Sequence, residues 1–516
     1  SDIPKVISSK DFPKEIDIRG EVFIQNSDFK NMSEKFANPR NAASGSLRQK
    51  NPNETKKIPL KFIAYTFGYE KGLIVENQSD FIKKLSEWGF KTNPLNKLIS
   101  GVKNLVKNYN EIEKKRTNLD FDIDGIVYKV NDFTLQKRLG YVANAPRWAI
   151  AHKFLANNGI SKIIDIEIQI GRTGALTPVA KIKPVNIGGV VVSNATLHNE
   201  DEINKKDIRI GDIVKVERAG DVIPHVVSVD IKKRHPKLVK YKFPNKCPSC
   251  GSTVEKEFNK QTKKYDAVKR CSSEGYTCEK IVIEKIKHFV SKDALNIDGL
   301  GKKVVEKFWE KKLIKFPQDI YKLDYKKIES LEGWGTQSVL NLKYSIDKSK
   351  KVSFNKFIFA LGIRHIGQEN AKLIAKHLQK KEKFLNIDKK FNFIQFSNID
   401  GIGDIQISSI KKFFSIKENL RVVKELSSYL NIENETVINK GKLNNLSFMI
   451  TGKLENMSRA EVKSIIEINS GKILSSVSKK LDYLIVGEKP TTKKLNQAKD
   501  LGIKILNQDQ LNKLLN

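Results

Sequence analysis

The sequence predicts a multidomain α+β protein, and three observations support this prediction. The chain has 516 residues, which is too long for a single hydrophobic core. Short alternating strand patterns fill residues 160–235, whereas segments with helical periodicity fill most of residues 281–430. All four cysteines lie between these two regions. Separate strand-rich and helix-rich regions indicate separate domains.

The chain is strongly basic, with 94 Lys and Arg against 59 Asp and Glu and a formal net charge of +35. Such an excess favours a polyanionic partner, of which nucleic acid is the commonest. A coding bias towards Lys, Ile and Asn would also raise the lysine count, so charge alone leaves the partner open. No apolar run approaches the roughly 20 residues that cross a bilayer, and no signal peptide is visible. We therefore expect a cytoplasmic protein without a membrane partner.

The four cysteines form the pattern C-x2-C-x20-C-x6-C, from Cys247 and Cys250 to Cys271 and Cys278. In a cytosolic protein this clustering predicts a metal site before disulfides. Four thiolates suit tetrahedral Zn²⁺ and leave no position for a substrate water, so the site is predicted to be structural. Four unrelated buried thiols are the alternative.

A glycine-centred turn occurs four times downstream, at 298-DGLG-301, 332-EGWG-335, 364-RHIG-367 and 400-DGIG-403. Each turn lies between segments with helical periodicity, which is typical of helix-hairpin-helix units. Glycine lets the backbone approach a phosphate, and the next helix directs its first amides at it. The array therefore predicts binding to a DNA backbone without base recognition. Ordinary helix C-caps within a bundle would leave a similar pattern.

The strand-rich region contains 164-IDIEIQIGRTGALTPVAKIKPV-185 and 208-IRIGDIVKVERAGDVIPHVVSV-229. Short strands broken by Gly and Pro predict an oligonucleotide-binding (OB) barrel. Arg172 and Arg218 lie beside glycine-containing turns and could reach a nucleic-acid backbone; a structural role on the barrel rim is equally compatible with the sequence. After a polar linker near residues 430–441, strands 447–454 and 482–488 alternate with helices, one of them running to Asn516. This alternation predicts a small parallel sheet.

The stretch 121-FDIDGIVYKV-130 is predicted to be a strand with Ile123, Gly125, Val127 and Lys129 on one face. A lysine at the end of an apolar row is commonly an edge residue that reaches water. The other interpretation is that an anion lies over this face and that the glycine leaves room for it.

These segments in this order resemble the bacterial NAD-dependent DNA ligases over essentially the whole chain. In the first domain the resemblance depends on 19-RGEVF-23, 36-FANPRNAASGSLRQ-49, 122-DIDGIVYKVN-131 and 145-APRWAIAHKF-154. The domains that it implies are a partial, ATP-grasp-like nucleotidyltransferase (adenylation) domain at 1–157, an OB-fold at 158–236, a four-cysteine zinc finger at 237–284, a helix-hairpin-helix domain at 285–432 and a BRCT domain at 438–516.

The resemblance implies roles for residues of the first domain. Glu21 matches the carboxylate that binds the ribose of the AMP moiety, and Lys129 and Lys153 match two lysines that contact the α-phosphate. Asp124 would orient these groups or a Mg²⁺ (or Mn²⁺) ion. Arginines that serve the cofactor and the 5′-phosphate of the nick correspond to Arg40, Arg48 and Arg116. The implied cofactors are NAD, Zn²⁺ and Mg²⁺, and the implied partner is nicked double-stranded DNA, bound by a monomer.

Two features depart from the family pattern. The family nucleophile is a lysine in a K-x-D-G motif, but the three D-G pairs here read DIDG, NIDG and NIDG. The small nicotinamide-recognising domain is also not visible before Ser1, which a fragment or a truncated gene product would explain. We expect a fragment, given the serine start, and in either case a chain that cannot adenylate itself. The insert between Cys250 and Cys271 is also long for this knuckle, so we expect an extended loop there with zinc binding kept.

Three functional interpretations follow. The first is a DNA ligase that seals nicks through adenylated intermediates. The second is a catalytically inactive, zinc-containing clamp that binds DNA. The third is another nucleotidyltransferase, such as an RNA ligase or capping enzyme, which the cysteine cluster, the hairpin array and the C-terminal domain argue against.

Overall fold

The computed structural model describes residues 2–515 except 33–35, 37, 50, 143–144, 156, 189, 219–222, 260–261, 388–390, 400, 436–440, 445, 453, 455–456, 458–461, 464, 467–468, 475, 479–480 and 489. Two compact units are present. The first comprises Ser1–Val75, Ser79–Tyr128 and Ala151–Glu435, and the second comprises Glu76–Gln78, Lys129–Ile150 and Thr436–Asn516.

The N-terminal region is built on a long antiparallel ribbon. Strand Glu15–Phe23 pairs with Lys61–Lys71, and the register shifts at two positions, between Ile16 and Ile18 and between Arg19 and Gly20. Helix Pro39–Leu47 begins at Asn38, whose side chain accepts a hydrogen bond from the Asn41 amide at 2.7 Å. The remaining elements up to residue 153 are helices Asn26–Phe29, Pro52–Lys56, Gln78–Glu87, Val102–Lys115 and Phe133–Leu139, 3-10 turns Lys30–Met32 and Arg116–Asn118, and strands Gly125–Lys129, Tyr141–Val142, Ala145–Pro146 and Ala149–Lys153.

The predicted OB barrel is confirmed as a closed five-stranded barrel. Strand Ile213–Arg218 closes it by pairing antiparallel with Asn157–Ile170. The other elements are strands Leu176–Ile187, Val190–Thr196 and His225–Val229, helix Glu200–Lys205 and 3-10 turn Ile231–Lys233. The barrel core continues into Cys247, Cys271 and Cys278, so the thiols share its hydrophobic packing.

The segment between Cys250 and Cys271 corrects one expectation. Instead of an extended loop, strands Val254–Asn259 and Lys264–Cys271 form an antiparallel hairpin. The alternation in 254-VEKEFN-259 and the aromatic pairing of Phe258 with Tyr265 are ordinary hairpin signals.

The helical region has one continuous core that runs from Val282 to Ile432. Two short parallel strands, Lys351–Ser353 in the middle of this region and Asn431–Glu433 after its last helix, pair with each other. Its helices are Glu279–Phe289, Lys302–Glu310, Tyr325–Glu329, Thr336–Ser349, Phe354–Ala360, Gln368–Leu378, Lys381–Leu385, Asp404–Ser415 and Lys417–Tyr429, with 3-10 turns Pro317–Lys322 and Phe393–Asn398.

The C-terminal region contains the predicted parallel sheet. Its strand order is Lys472–Ile473, Ser447–Thr451, Tyr483–Val486 and Lys504–Leu506. The predicted final helix is wrong in one respect, because helices Thr492–Asp500 and Gln508–Leu515 are separated by the last strand. Gly502, in the left-handed region at φ +66°, stands between the first helix and that strand. In the described part of the chain no helix is long and apolar enough to cross a membrane.

Candidate functional site

Lys153 and Asp124 form the polar centre of the N-terminal region. Lys153 Nζ lies 2.7 Å from Asp124 Oδ2 and donates a hydrogen bond to it. The Lys153 side chain is 61% exposed and that of Asp124 is 42% exposed. An ammonium group has three donors, so this contact leaves Lys153 able to bind an anion as well.

The main chain around this pair is fixed by two hydrogen bonds. The Phe154 amide donates to the Asp124 carbonyl at 2.9 Å, and the Tyr109 hydroxyl donates to the Lys153 carbonyl at 3.0 Å. The ring of Tyr109 also stacks on His152, with 3.9 Å between the ring centroids. Tyr109 thus holds the main chain at Lys153, a contact that the sequence does not predict. The spacing of Leu105, Tyr109 and Ile112 could have placed it on the buried face of its helix, but not against Lys153.

Gly125 leaves room for the neighbouring backbone and not for an anion. A Cβ atom at this position would lie 2.5 Å from the His152 carbonyl oxygen. The absence of a side chain therefore admits the backbone of residues 152 and 153, rather than a ligand. Val127, placed in the same predicted apolar row, is 56% exposed. The strand is also shorter than predicted, since it begins at Gly125.

Lys129 ends this strand and is half-buried. Burial lowers the pKa of its amino group, because a charged amine is poorly solvated there. An anionic ligand beside Lys129 would compensate for this loss of hydration.

The other candidate residues of the region occupy distinct elements. Glu21 is exposed on the first strand, opposite Ile63. Arg40 lies in the first turn of helix Pro39–Leu47 and Arg48 follows its end, and both are exposed. The guanidinium of Arg116 lies 5.5 Å from the centroid of the ring of Phe154, the residue that follows Lys153 in the chain.

The two barrel arginines differ in their surroundings. Arg172 is half-buried and its Nη1 donates to the Gly362 carbonyl of the helical region at 3.3 Å. Burial lowers the pKa of this guanidinium. Arg218 ends strand Ile213–Arg218, opposite Asn157. Arg172 therefore connects the barrel to the helical region, while its other N–H groups remain donors for a second contact.

The four cysteines come together as predicted. Their sulfur atoms all lie within 4.8 Å of one another. Sγ of Cys247 lies 3.9 Å from Sγ of Cys278, and Sγ of Cys250 lies 3.5 Å from that of Cys271. A tetrahedral zinc site with bonds of about 2.3 Å requires sulfur atoms about 3.8 Å apart, so the cluster fits Zn²⁺.

Burial opposes ionisation of these thiols to different degrees. It raises the pKa of Cys271 and of Cys278. For Cys250, burial acts in the same direction but is outweighed by hydrogen bonds with Ser252, and the pKa falls to about 6. A bound cation would hold all four as thiolates, so metal binding must release protons.

The four repeated turns share one backbone plan in the described residues. Their second residue has positive φ: Gly299 (+92°), Gly333 (+82°), His365 (+61°) and Gly401 (+91°). Their fourth residue, a glycine each time, is the N-cap of a helix whose first residue is Lys302, Thr336, Gln368 or Asp404. A Cβ atom on Gly301, Gly335 or Gly367 would meet nothing within 4 Å. These helix starts are open enough for a phosphate to approach their amides.

A lysine paired with a carboxylate, an OB barrel, a four-thiol cluster and a series of hairpin turns in one chain are typical of enzymes that join nucleic-acid strands. The family model of the NAD-dependent DNA ligase adenylation domain matches residues 1–157, and that of the NAD-dependent DNA ligase OB-fold domain matches residues 160–238. A helix-hairpin-helix motif matches residues 356–423 and a BRCA1 C-terminus (BRCT) domain matches residues 439–515.

Several DNA ligases are similar over nearly the whole chain. The DNA ligase of Pelagibacter ubique is 66% identical over 516 residues, covering 100% of this chain and 76% of that protein. The DNA ligase of Xanthobacter autotrophicus is 42% identical over 537 residues (99% and 74%), and that of Wolbachia pipientis from Culex pipiens is 44% identical over 523 residues (99% and 78%). The chain therefore belongs to the NAD-dependent DNA ligase family, and it is an enzyme of that class.

Proposed function

We propose that these 516 residues seal single-strand nicks in duplex DNA whose 5′ end already carries AMP. The observation that carries the proposal is the hydrogen-bonded pair of Lys153 and Asp124. Lys153 would act on the adenylate, and Asp124 would hold Lys153 in place. The family resemblance adds Lys129 as a second lysine that contacts the α-phosphate.

In the sealing step, the 3′-hydroxyl oxygen attacks the 5′-phosphorus and loses its proton. A new P–O bond forms, the bond between the 5′-phosphate and AMP breaks, and AMP leaves with the bonding electron pair. Negative charge grows on the departing phosphate. Cationic amines that are already positioned next to that phosphate stabilise the transition state more than the ground state. This role requires no covalent adduct on the protein.

The donor set also fits the cofactors that the family implies. NAD, when bound, would supply the adenylyl group that activates the 5′-phosphate. Glu21 and Arg116 would hold the AMP moiety together with Lys129 and Lys153, and Asp124 offers the carboxylate oxygen that Mg²⁺ prefers. The four cysteines would hold Zn²⁺ in a closed, structural site.

Self-adenylation is the step for which these residues offer no K-x-D-G lysine. We expect no added AMP mass after incubation with NAD and Mg²⁺, as measured by intact mass spectrometry. In a second assay, nicked duplex with a pre-adenylated 5′ end is supplied without NAD and its conversion is followed on a denaturing gel. Sealing is expected there, and Lys153→Ala should abolish it, while Lys97→Ala at an exposed position of the same region should not.

The competing function is a DNA clamp without catalysis, which would need no K-x-D-G lysine. Nicked duplex would be bound in either case, through the open helix starts of the hairpin array and through Arg40, Arg48, Arg172 and Arg218. Unaltered binding without sealing of the pre-adenylated nick would therefore support the clamp. Binding itself should weaken steeply with added salt, because phosphate contacts release counterions.

A further inference from the structure

The hairpin between Cys250 and Cys271 has features that a zinc ligand loop does not require. We name the two strands Val254–Asn259 and Lys264–Cys271, together with Lys263, the hairpin arm. Its strands pair Val254 with Cys271 at the thiol cluster and Phe258 with Tyr265 farther out. The strands extend beyond this aromatic pair to Asn259 and Lys264, and Lys263 in the connecting turn has a φ of +52°.

The arm is held from two sides. On the barrel side, Lys256 Nζ lies 2.6 Å from Asp201 and Lys269 Nζ lies 2.9 Å from Glu200, both on helix Glu200–Lys205. On the helical side, Arg364 pairs with Glu257 and lies 3.9 Å from Asp266. Ion pairs on both sides fix the direction of the arm, although each exposed pair adds little stability by itself.

The outer part of the arm exposes two aromatic rings. Phe258 is 51% exposed and Tyr265 is 67% exposed, and the rings meet edge to face with 5.1 Å between centroids. Lys263 and Lys264 next to them are exposed. A paired aromatic surface in water is a common mark of a binding site, because burying it on a partner is favourable.

The charge of the arm indicates the kind of partner. Of its three acidic residues, Glu257 and Asp266 pair with arginines, Arg364 in both cases and Arg270 for Asp266. The third, Glu255, lies one residue from the cluster end of the arm, opposite Arg270, and accepts a hydrogen bond from Thr253 Oγ1. The turn end therefore presents lysine charge beside aromatic rings. This combination is complementary to a nucleic-acid backbone with its sugars and bases.

The position of the arm points to the same partner. Arg364, which contacts the arm, is the first residue of the third repeated turn, and Gly367 of that turn is the N-cap with open space before its helix. We propose that the hairpin arm is a further duplex-binding element beside the third turn, in which Lys263 and Lys264 contact backbone phosphates and Phe258 and Tyr265 pack against the minor groove. This proposal rests on the proposed binding of nicked duplex DNA.

The test measures binding of the whole chain to a fluorescent nicked duplex by anisotropy at several salt concentrations. For Lys263→Ala/Lys264→Ala we expect the slope of log K against log salt to become shallower by about 2, since each phosphate contact contributes about 0.9. For Phe258→Ser/Tyr265→Ser we expect about tenfold weaker binding at fixed salt with the slope unchanged, since the rings carry no charge.

Matched controls separate the arm from general surface effects. Lys97→Ala/Lys103→Ala and Tyr69→Ser alter exposed residues of the N-terminal region and should bind like the parent. Circular dichroism and zinc content establish that each variant is folded. If the parent binds but both arm variants bind equally well, the arm serves another partner and the inference is wrong while the proposed function stands. If the parent does not bind nicked duplex, both are wrong.

Discussion

Asp124 Oδ2 lies 2.7 Å from Lys153 Nζ, and the main-chain carbonyl of Asp124 accepts a hydrogen bond from the amide of the next residue, Phe154. The carboxylate therefore orients the amine on a backbone that is itself fixed. These two contacts explain how two residues 29 positions apart in the sequence keep one geometry although both side chains are partly open to solvent.

The first prediction concerns this carboxylate. Asp124→Asn keeps the shape but removes the charge that orients Lys153, so sealing of a pre-adenylated nick should slow by on the order of 10²-fold in single-turnover experiments. Asp122→Asn is the matched control, because Asp122 is exposed and its carboxylate accepts from Asn26 Nδ2 at 3.2 Å. Equal rates for Asp124→Asn and the parent would exclude the positioning role.

The second prediction concerns the thiol cluster. We expect one zinc ion per chain by metal analysis of protein purified without chelator. Chelation should lower the midpoint of thermal unfolding, because the barrel core and the cluster share packing. Cys271→Ser should lose the metal, whereas Ser273→Ala, which alters a nearby residue outside the cluster, should keep it. Full stability of a zinc-free parent would contradict a structural role.

The third prediction concerns His365, which takes the place of a glycine as the second residue of the third repeated turn. His365 adopts φ +61° where Gly299, Gly333 and Gly401 stand in the other turns, and a left-handed non-glycine residue costs about 1–2 kcal/mol. His365→Gly should therefore raise the free energy of unfolding by about 1 kcal/mol, with the bond from Asn370 Nδ2 to the backbone carbonyl kept.

Gly333→Ala is the reciprocal test of that argument. A Cβ atom there would meet nothing within 4 Å, so only the φ of +82° opposes it. We expect a loss of about 1 kcal/mol, measured by urea unfolding of both variants beside the parent. A destabilised His365→Gly would show that the imidazole contributes more than its backbone strain costs.

Different parts of the structure are predictable to different extents. The cysteine cluster and the four turns follow from spacing and glycine chemistry, which act locally, and the sequence predicts both. The hairpin arm is predicted as an extended loop because the segment between Cys250 and Cys271 is longer than expected for this kind of zinc knuckle. Phe258 and Tyr265 nevertheless favour a strand at these positions. Gly125 is misinterpreted because its constraint comes from His152, 27 residues away in the sequence. Contacts of this kind depend on packing between segments, which periodicity does not encode.

Lys285 and Tyr276 form a half-buried polar contact behind the thiol cluster. Lys285 Nζ donates to the Gly275 carbonyl at 2.6 Å and lies 4.4 Å from the centroid of the Tyr276 ring. Burial lowers the pKa of Lys285 to about 8. Burial also raises the pKa of Tyr276. The contact thus fastens the loop before Cys278 to helix Glu279–Phe289, at the cost of a desolvated amine.

The last prediction is the pH dependence that this amine imposes. The unfolded chain keeps the proton of Lys285 up to about pH 10.4, whereas the native protein releases it near pH 8. Between these two values the unfolded state binds more protons than the native state, so the free energy of unfolding should increase from pH 8 to about pH 10, by at most about 1.4 kcal/mol per pH unit. Well below about pH 8 both states keep the proton, and Lys285 should not make the free energy of unfolding depend on pH. Lys285→Met lacks the titrating group, so the free energy of unfolding of the parent minus that of the variant should increase across this window. Urea unfolding of both proteins at about pH 7, 8, 9 and 10 measures the difference. A constant difference across these four values would mean that the Gly275 carbonyl and the Tyr276 ring keep Lys285 charged despite its burial.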